Sequence, residues 1–184
     1  MPDAFDRLIG ATLGLEGGYV DNPADKGGPT NWGVTQALAR QYGYAGDMRA
    51  MTRDQASAIL RQEFWTGPHL DQLAIVSERV AGKLLDTGIN MGMAQPVTWL
   101  QRGLNVLNRR GADYADLPVT GHVGPLTLQA LQGLVKARGL VRAERVLLII
   151  LQGFQTVYFV ELGERLPADE TFEDGWLENR VGVA

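Results

Sequence analysis

Apolar residues recur at helical spacing in most segments of the chain, and this periodicity limits the fold more than any other feature. In the first segment, Phe5, Ile9 and Leu13 fall on one side of a helix that Asp3 can cap. The same spacing recurs in residues 35–42, 52–64, 77–85, 94–108, 125–134 and 142–163. Strand signals are scarce. The pattern predicts an α+β protein that is mainly α.

Three local signals mark where helices begin. Thr52 and Gln55 have the spacing of a capping box, in which each side chain bonds the other's backbone N–H. Ser77 is an N-cap candidate for the next helix. Pro125 lies where a first helical turn tolerates proline.

The best strand signal lies within residues 19–35. The sequence Asp-Lys-Gly-Gly at 25–28 has turn chemistry and separates Tyr19-Val20 from the segment 32–35. This arrangement predicts a small β-hairpin beside the helices.

Composition excludes several functional classes. The 184 residues fit one domain, or a small domain with a satellite. The formal net charge of -4 argues against nucleic acid, which needs clustered Lys and Arg. Without cysteine, thiol nucleophiles and thiolate metal sites are excluded, and His69 and His122 are too far apart in sequence for a zinc motif. We therefore predict no metal and no cofactor.

The segment 146–160 is apolar enough to suggest a membrane helix. It is shorter than the ~20 residues that a span needs, and Gln152, Gly153 and Gln155 interrupt it. The sequence therefore favours a helix buried on most sides, and no stable membrane insertion. The first residues lack the features of a signal peptide, so a cytoplasmic location is expected.

A carboxylate stands at the end of the first helix. Glu16 follows Ile9 and Phe5 by helical steps, which places it on the apolar face just before Gly17-Gly18 ends the helix. Burial and the negative end of the helix dipole both disfavour its charged form. Such an acid can protonate the leaving oxygen of a glycosidic bond. Alternatively, Glu16 is a surface residue at a helix end.

The turn-rich segment that follows can fold back across this helix end. Asp25 either activates water or caps the turn, and Asp21 is a further carboxylate. Thr30 and Thr35 are strand formers, or they place hydroxyl groups in a cleft.

Other polar and aromatic residues are candidates for sugar binding. Tyr19, Asn31 and Trp32 have the aromatic faces and amides that suit acetamido sugars, although core packing explains Trp32 as well. Asp86 and Asn90 share one helical face, either at a cleft or as an exposed pair.

The residue order at 16–35, EGGYVDNPADKGGPTNWGVT, resembles the opening motif of the family 108 glycoside hydrolases. This family comprises phage and bacterial N-acetylmuramidases of the lysozyme-like superfamily. EFW at 63–65 and LLDTGINMG at 84–92 are also similar to the family. VTGHVGPLT at 119–127 and GWLENRV at 175–181 resemble its predicted peptidoglycan-binding region, although Thr120 stands where that motif has aspartate.

The resemblance implies a lysozyme-like helical domain over residues 1–93, with a helical peptidoglycan-binding region over 94–184 packed on it. It implies hydrolysis of the β-1,4 bond between N-acetylmuramic acid and N-acetylglucosamine, with Glu16 as the catalytic acid. Asp25 and Thr30 lie near the positions of the second acid and the threonine of phage-type lysozymes. Whether the reaction inverts or retains the anomeric configuration stays open.

Two other functions remain open at this stage. A lytic transglycosylase also needs a single acid, and a non-catalytic wall-binding or secretion-accessory protein needs only the fold. For the hydrolase, the resemblance implies a monomeric phage endolysin with peptidoglycan glycan strands as its partner. It would stay in the host cytoplasm until a holin releases it to the wall in the periplasm.

Overall fold

The computed structural model describes residues 3–13, 18–21 and 28–165. Glu16 and Asp25 lie outside these residues, as does the GWLENRV segment. Backbone contacts divide the chain into two compact units, Met1–Asp71 and Gln72–Ala184.

Helices account for most of the described chain, so the prediction of a mainly α, α+β fold is confirmed. The helices are α1 (Ala4–Leu13), α2 (Gln36–Gln41), α3 (Arg53–Arg61), α4 (Leu70–Val76), α5 (Glu78–Met91), α6 (Ala94–Leu107), α7 (Pro125–Arg138) and α8 (Leu140–Arg165). A 3₁₀ turn covers Met48–Ala50, and a π-helical turn, Gln62–Thr66, continues α3. The strands are β1 (Thr30–Asn31) and β2 (Val34–Thr35).

The helix starts that the sequence predicts are present. Thr52 and Gln55 bond each other's backbone N–H groups at 3.2 and 2.9 Å, which completes the capping box of α3. The Ser77 hydroxyl accepts from the Val80 N–H at 3.1 Å at the start of α5. Pro125 is the first residue of α7. These signals are local, so the sequence alone specifies them.

A hairpin is present within residues 19–35, although most of the predicted turn at 25–28 lies outside the described residues. β1 and β2 are antiparallel, with Thr30 opposite Thr35, and Trp32-Gly33 form the turn between them. The prediction of a strand that includes Trp32 and Gly33 is therefore wrong. Both residues have positive φ, 52° and 78°, as a two-residue hairpin turn requires. Val20 also pairs with Thr30 through two backbone hydrogen bonds of 2.8 Å.

The first unit has an apolar core between α1, α3 and the π-helical turn. Phe5 is fully buried, and its ring lies 6.0 Å from that of Trp65, which is also buried. Ile9 and Leu60 are buried as well, and Val34 brings the hairpin into the apolar interior. The inward face of α1 that the sequence predicts is thus confirmed for Phe5 and Ile9.

In the second unit α8 packs against α5, α6 and α7 along one face. The buried residues of α8, from Ala143 through Leu151 to Phe159, recur mostly every four positions. Residues at this spacing form the ridge by which a helix packs against its neighbours. Val141, Ile149 and Val157 are 77, 62 and 55% exposed. The prediction of a helix buried on most sides is wrong, because the packed helices cover only one face.

Two buried polar side chains distinguish α8 from a uniformly apolar helix. The Glu144 carboxylate accepts from the Ser77 hydroxyl at 2.8 Å, and Gln155 accepts from the Lys83 ammonium at 2.6 Å. By length and composition alone α8 is apolar enough to cross a membrane, with a mean hydropathy of 1.6. Internal partners for the Glu144 carboxylate and for the Gln155 carbonyl oxygen support a role as a protein-packed helix, although the buried Gln155 amide nitrogen has no hydrogen-bond partner among the described residues. That the chain does not insert into a membrane stays a prediction.

The predicted boundary between residues 93 and 94 falls at a break in the helices. Gly92, at a φ of 82°, ends α5, and α6 begins at Ala94. The two compact units instead divide after Asp71. A division by compactness does not test where the catalytic region ends, so the boundary between residues 93 and 94 stays a prediction.

Candidate active site

The sequence-predicted site residues fall into three groups. The two carboxylates, Glu16 and Asp25, lie outside the described residues. Five candidates lie in the first unit, in or next to the hairpin: Tyr19, Thr30, Asn31, Trp32 and Thr35. Asp86 and Asn90 lie on α5 in the second unit.

The two threonines face each other across the hairpin and have different hydroxyl partners. Thr35 is the N-cap of α2, and its hydroxyl accepts from the Leu38 N–H at 3.3 Å. Thr30 is half-buried, and its hydroxyl donates to the Gly28 carbonyl at a long 3.5 Å. The Thr35 hydroxyl therefore has a structural task, whereas the Thr30 hydroxyl is held only weakly.

Asn31 and Trp32 attach the hairpin to the 3₁₀ turn. The Asn31 amide donates to the Met48 carbonyl at 2.6 Å, and the Trp32 indole N–H donates to the Met51 carbonyl at 3.0 Å. Asn31 is only 4% exposed, so its amide group is not at the surface. Trp32 is half-buried and leaves part of its ring accessible. These bonds position the strand that carries Thr30.

Tyr19 lies between an acid and a base. Its hydroxyl donates to the Asp21 carboxylate at 3.1 Å, and the Arg49 guanidinium lies 4.9 Å from its ring centre. Desolvation and the bond to Asp21 raise the pKa of Tyr19, so the phenol stays protonated at neutral pH. The sequence analysis did not predict a role for Arg49, because no local sequence pattern indicates a contact with a ring 30 positions earlier.

α1, which precedes Glu16 in the sequence, is bonded to α3 through one arginine. Arg61 bonds the carboxylates of Asp3 and Asp6 at 2.5 and 2.7 Å, and it stacks 4.4 Å over the Phe5 ring. The bond from Arg61 and that from the Asp6 backbone lower the pKa of Asp3. A cavity of about 280 Å³ lies alongside, lined by Asp6, Ile9, Arg53, Asp54 and Ser57.

The EFW segment provides a carboxylate with a phenol partner. The Tyr42 hydroxyl donates to Glu63 at 2.6 Å, and this bond raises the pKa of Tyr42 to about 12. Glu63 lies in the π-helical turn, an irregularity that often occurs at functional sites.

On α5 the two predicted cleft residues interact within the helix. The Asn90 amide donates to the Asp86 backbone carbonyl at 2.8 Å. One turn earlier, burial lowers the pKa of Lys83, and the Asp86 carboxylate acts in the opposite direction. Asp86 is half-buried and Asn90 is exposed.

In the peptidoglycan-like motif at 119–127, the organising residue is a buried glutamine. Gln101 is 1% exposed and donates to the Thr120 and Thr127 hydroxyls and to the His122 carbonyl, at 2.9 to 3.2 Å. Its carbonyl oxygen accepts from the Thr120 and Gly121 N–H groups at 2.8 and 3.0 Å. The motif is thus folded around α6, with the Thr120 hydroxyl at the place of the usual aspartate.

Within the described ranges, no group of three or more His, Asp or Glu side chains is close enough to hold a metal ion. That the protein needs no metal or cofactor stays a prediction.

A mainly α fold with a small two-stranded hairpin is typical of the lysozyme-like class. The structure is similar to that of Brucella abortus SagA, with a TM-score of 0.68 and 26% sequence identity over 96% of this chain and 88% of that one. No curated protein sequence matches the chain.

Residues 9–92 match the family model Glycosyl hydrolase 108, and residues 95–181 match a Predicted Peptidoglycan domain. The chain thus has a region that matches glycosyl hydrolase family 108, followed by a match to a peptidoglycan domain in C-terminal position. These two matches support a glycoside hydrolase that acts on peptidoglycan.

Proposed function

We propose that the chain is an N-acetylmuramidase that cleaves the β-1,4 bond between N-acetylmuramic acid and N-acetylglucosamine. One observation carries the proposal: the family 108 match spans residues 9–92 and so includes the whole 16–35 motif with its single glutamate.

In this proposal Glu16 is the general acid. Its proton passes to the departing glycosidic oxygen while the sugar ring develops oxocarbenium character. In single displacement, water attacks from the opposite face and gives its proton to a base, for which Asp25 is the candidate, with the Thr30 hydroxyl to hold the water. In double displacement, a carboxylate would first form a glycosyl-enzyme. Proton NMR of the fresh product distinguishes the two through the anomer formed.

The described part of the site supports this chemistry in two ways. The hairpin is held by the Asn31 and Trp32 bonds to backbone carbonyls, which fixes the position of Thr30. Tyr19, with Arg49 over one face, offers an aromatic surface with charged neighbours for an acetamido sugar.

The test compares Glu16→Gln with wild type on purified peptidoglycan. The amide cannot supply the proton, so release of reducing ends should fall roughly 10²-fold or more while the fold is kept. Glu161→Gln, which changes an exposed acid on α8 that pairs with Arg165, is the matched control and should leave the rate unchanged. Unchanged turnover by Glu16→Gln would refute the proposal.

Product analysis separates the alternatives. Hydrolysis leaves reducing-end muramic acid, whereas a lytic transglycosylase leaves a 1,6-anhydro end that mass spectrometry detects. A non-catalytic wall-binding protein would sediment with sacculi and release no fragments over hours.

We extend the proposal to an endolysin role, which rests on the family resemblance. The protein would accumulate in the host cytoplasm and reach the periplasmic wall only after a holin opens the membrane. Expression in the cytoplasm with and without a co-expressed holin tests this. Lysis should require the holin, and equal lysis without it would exclude this route.

A further inference from the structure

The corner between α7 and α8 forms a groove with an unusual lining. Arg138 is the last residue of α7, Gly139 turns the chain with a φ of 77°, and α8 begins at Leu140. The groove has a volume of about 450 Å³, within the range of ligand sites. It is lined by Arg138, Gly139, Leu140, Val141, Arg142 and Arg145.

Three arginines therefore line one groove, and only Arg138 has a nearby acid among the described residues, Asp113, whose pKa it helps to lower. Arg142 and Arg145 are exposed, and within the described residues neither side chain forms an ion pair or hydrogen bond. The neighbouring acid, Glu144, is buried and bonds to Ser77 and Arg79. The groove thus keeps a net positive charge in a chain whose formal net charge is -4.

The groove is also partly preorganised. The Arg138 guanidinium donates to the Leu107 carbonyl, which fixes that side chain at the end of α7. The first turn of α8 adds the positive end of a 26-residue helix on the same side. Leu140 and Val141, 44 and 77% exposed, place apolar surface beside these charges.

This combination suits a carboxylate next to a small apolar group. Guanidinium groups bind carboxylates through paired, charge-assisted hydrogen bonds, whereas neutral sugar rings need no such charge. Peptide stems of peptidoglycan end in alanine, which has a carboxylate and a methyl group. The groove lies within residues 95–181, which match the peptidoglycan domain.

We propose that the groove formed by Arg138, Arg142 and Arg145 binds the carboxylates of peptidoglycan peptide stems. The inference rests on the proposed function, because it takes peptidoglycan as the substrate. It gives the C-terminal region a task distinct from bond cleavage: it holds the peptide part of the wall while the glycan is cut.

The experiment measures binding of a synthetic stem pentapeptide, L-Ala-D-Glu-L-Lys-D-Ala-D-Ala, to the full chain by calorimetry or NMR titration. Wild type should bind the free acid, and it should bind the same peptide amidated at every carboxyl at least about tenfold more weakly, since each lost charge-assisted pair removes about one factor of ten. Arg142→Gln with Arg145→Gln should weaken binding of the free acid by a similar factor.

Controls separate specific from general charge effects. Arg110→Gln with Arg165→Gln removes the same charge from exposed positions outside the groove and should leave peptide affinity unchanged. Arg142→Lys with Arg145→Lys keeps the charge but loses the paired geometry, so it should bind with intermediate affinity. Thermal melts confirm that each variant is folded.

Two results would overturn the inference. One is equal affinity for the free and amidated peptides. The other is preference for inorganic phosphate or for vesicles of phosphatidylglycerol and phosphatidylcholine over the peptide. Release of reducing ends from peptidoglycan by wild type is measured in parallel. Hydrolysis without peptide binding refutes only this inference, and peptide binding without hydrolysis refutes only the muramidase.

Discussion

The side chains of Asn31 and Trp32 in the hairpin donate hydrogen bonds to backbone carbonyls, so their polar groups are not available to bind a sugar. The Asn31 amide, suited in principle to an acetamido sugar, is instead buried against the Met48 carbonyl. The Trp32 indole N–H is likewise used by the Met51 carbonyl, although part of the ring remains accessible. Both residues therefore position Thr30 and its neighbours, and of the two only Trp32 offers surface to a sugar.

Asn31→Ala should reduce the free energy of unfolding by roughly 1–3 kcal/mol, because it leaves the Met48 carbonyl without its buried donor. Trp32→Phe keeps an aromatic face and loses one hydrogen bond, so it should reduce the same quantity by about 1 kcal/mol. Urea denaturation measures both. A stable Asn31→Ala that fails only in substrate binding would instead make Asn31 a direct sugar contact.

Asp3 gives a pH prediction because Arg61 lowers its pKa below the ordinary 3.8. A carboxyl with a lowered folded-state pKa stabilises the fold above that ordinary value, and the contribution disappears as pH falls through the folded-state pKa. Asp3→Asn retains an N-cap side chain for α1 but lacks the charge. Wild type should exceed the variant in unfolding free energy at about pH 6, and the difference should shrink once the pH falls below 3.8 and disappear below the folded-state pKa. A difference that is constant over this range would contradict the assignment.

At the scale of elements, the sequence predicts what depends on neighbours along the chain. The capping box at Thr52, the N-cap at Ser77 and the proline at 125 are all found. The sequence predicts Trp32 and Gly33 as strand because Trp-Gly has weaker turn chemistry than Asp-Lys-Gly-Gly, whereas the structure has a turn there. Trp32 takes positive φ in a structure where its indole bonds the distant Met51 carbonyl. The periodicity of α8 likewise cannot tell how many faces other helices cover.

The same limit applies to the candidate site. The sequence predicts Tyr19 and Thr30 as site residues because the motif that contains them is contiguous, and their roles stay predictions. The contacts of Arg49 with Tyr19 and of Gln101 with Thr120 join residues 19 or more positions apart. Such pairs follow from tertiary packing, for which one sequence has no local signal.

Two glycine-to-alanine changes test opposite predictions about their elements. Gly33 has a φ of 78° in the hairpin turn, so Gly33→Ala should destabilise the fold by about 1–2 kcal/mol. Gly153 is exposed inside α8, and an added Cβ there meets nothing within 4 Å, so Gly153→Ala should stabilise by about 0.5–1 kcal/mol. Thermal or urea denaturation gives both signs. Destabilisation by Gly153→Ala would mean that this face of α8 is covered in solution.

On the scale of the whole molecule, the net charge of the chain and the local charge of the α7–α8 groove have opposite signs. The chain has a formal net charge of -4, while the α7–α8 groove has three arginines. A wall rich in carboxylates is repelled by the net negative charge of the chain and attracted by the arginines of the groove. The salt concentration distinguishes the two effects, because the screening length is about 30 Å at 0.01 M and about 8 Å at 0.15 M. At low salt the wall interacts with the whole molecule, and at higher salt only with the groove that touches it.

Adsorption to sacculi should therefore pass through a maximum with salt. It should rise from about 0.01 M towards about 0.15 M as the net repulsion is screened, and fall towards about 1 M as the guanidinium contacts weaken. Co-sedimentation in a Glu16→Gln background measures this without digestion of the wall.

The double variant Arg110→Gln with Arg165→Gln should reduce adsorption only at the lowest salt, since it adds net negative charge and leaves the groove intact. Arg142→Gln with Arg145→Gln should reduce it at about 0.15 M as well. A steady decrease from the lowest salt upwards would mean that the net charge has no influence, and the same loss for both double variants would mean that the groove has no special role.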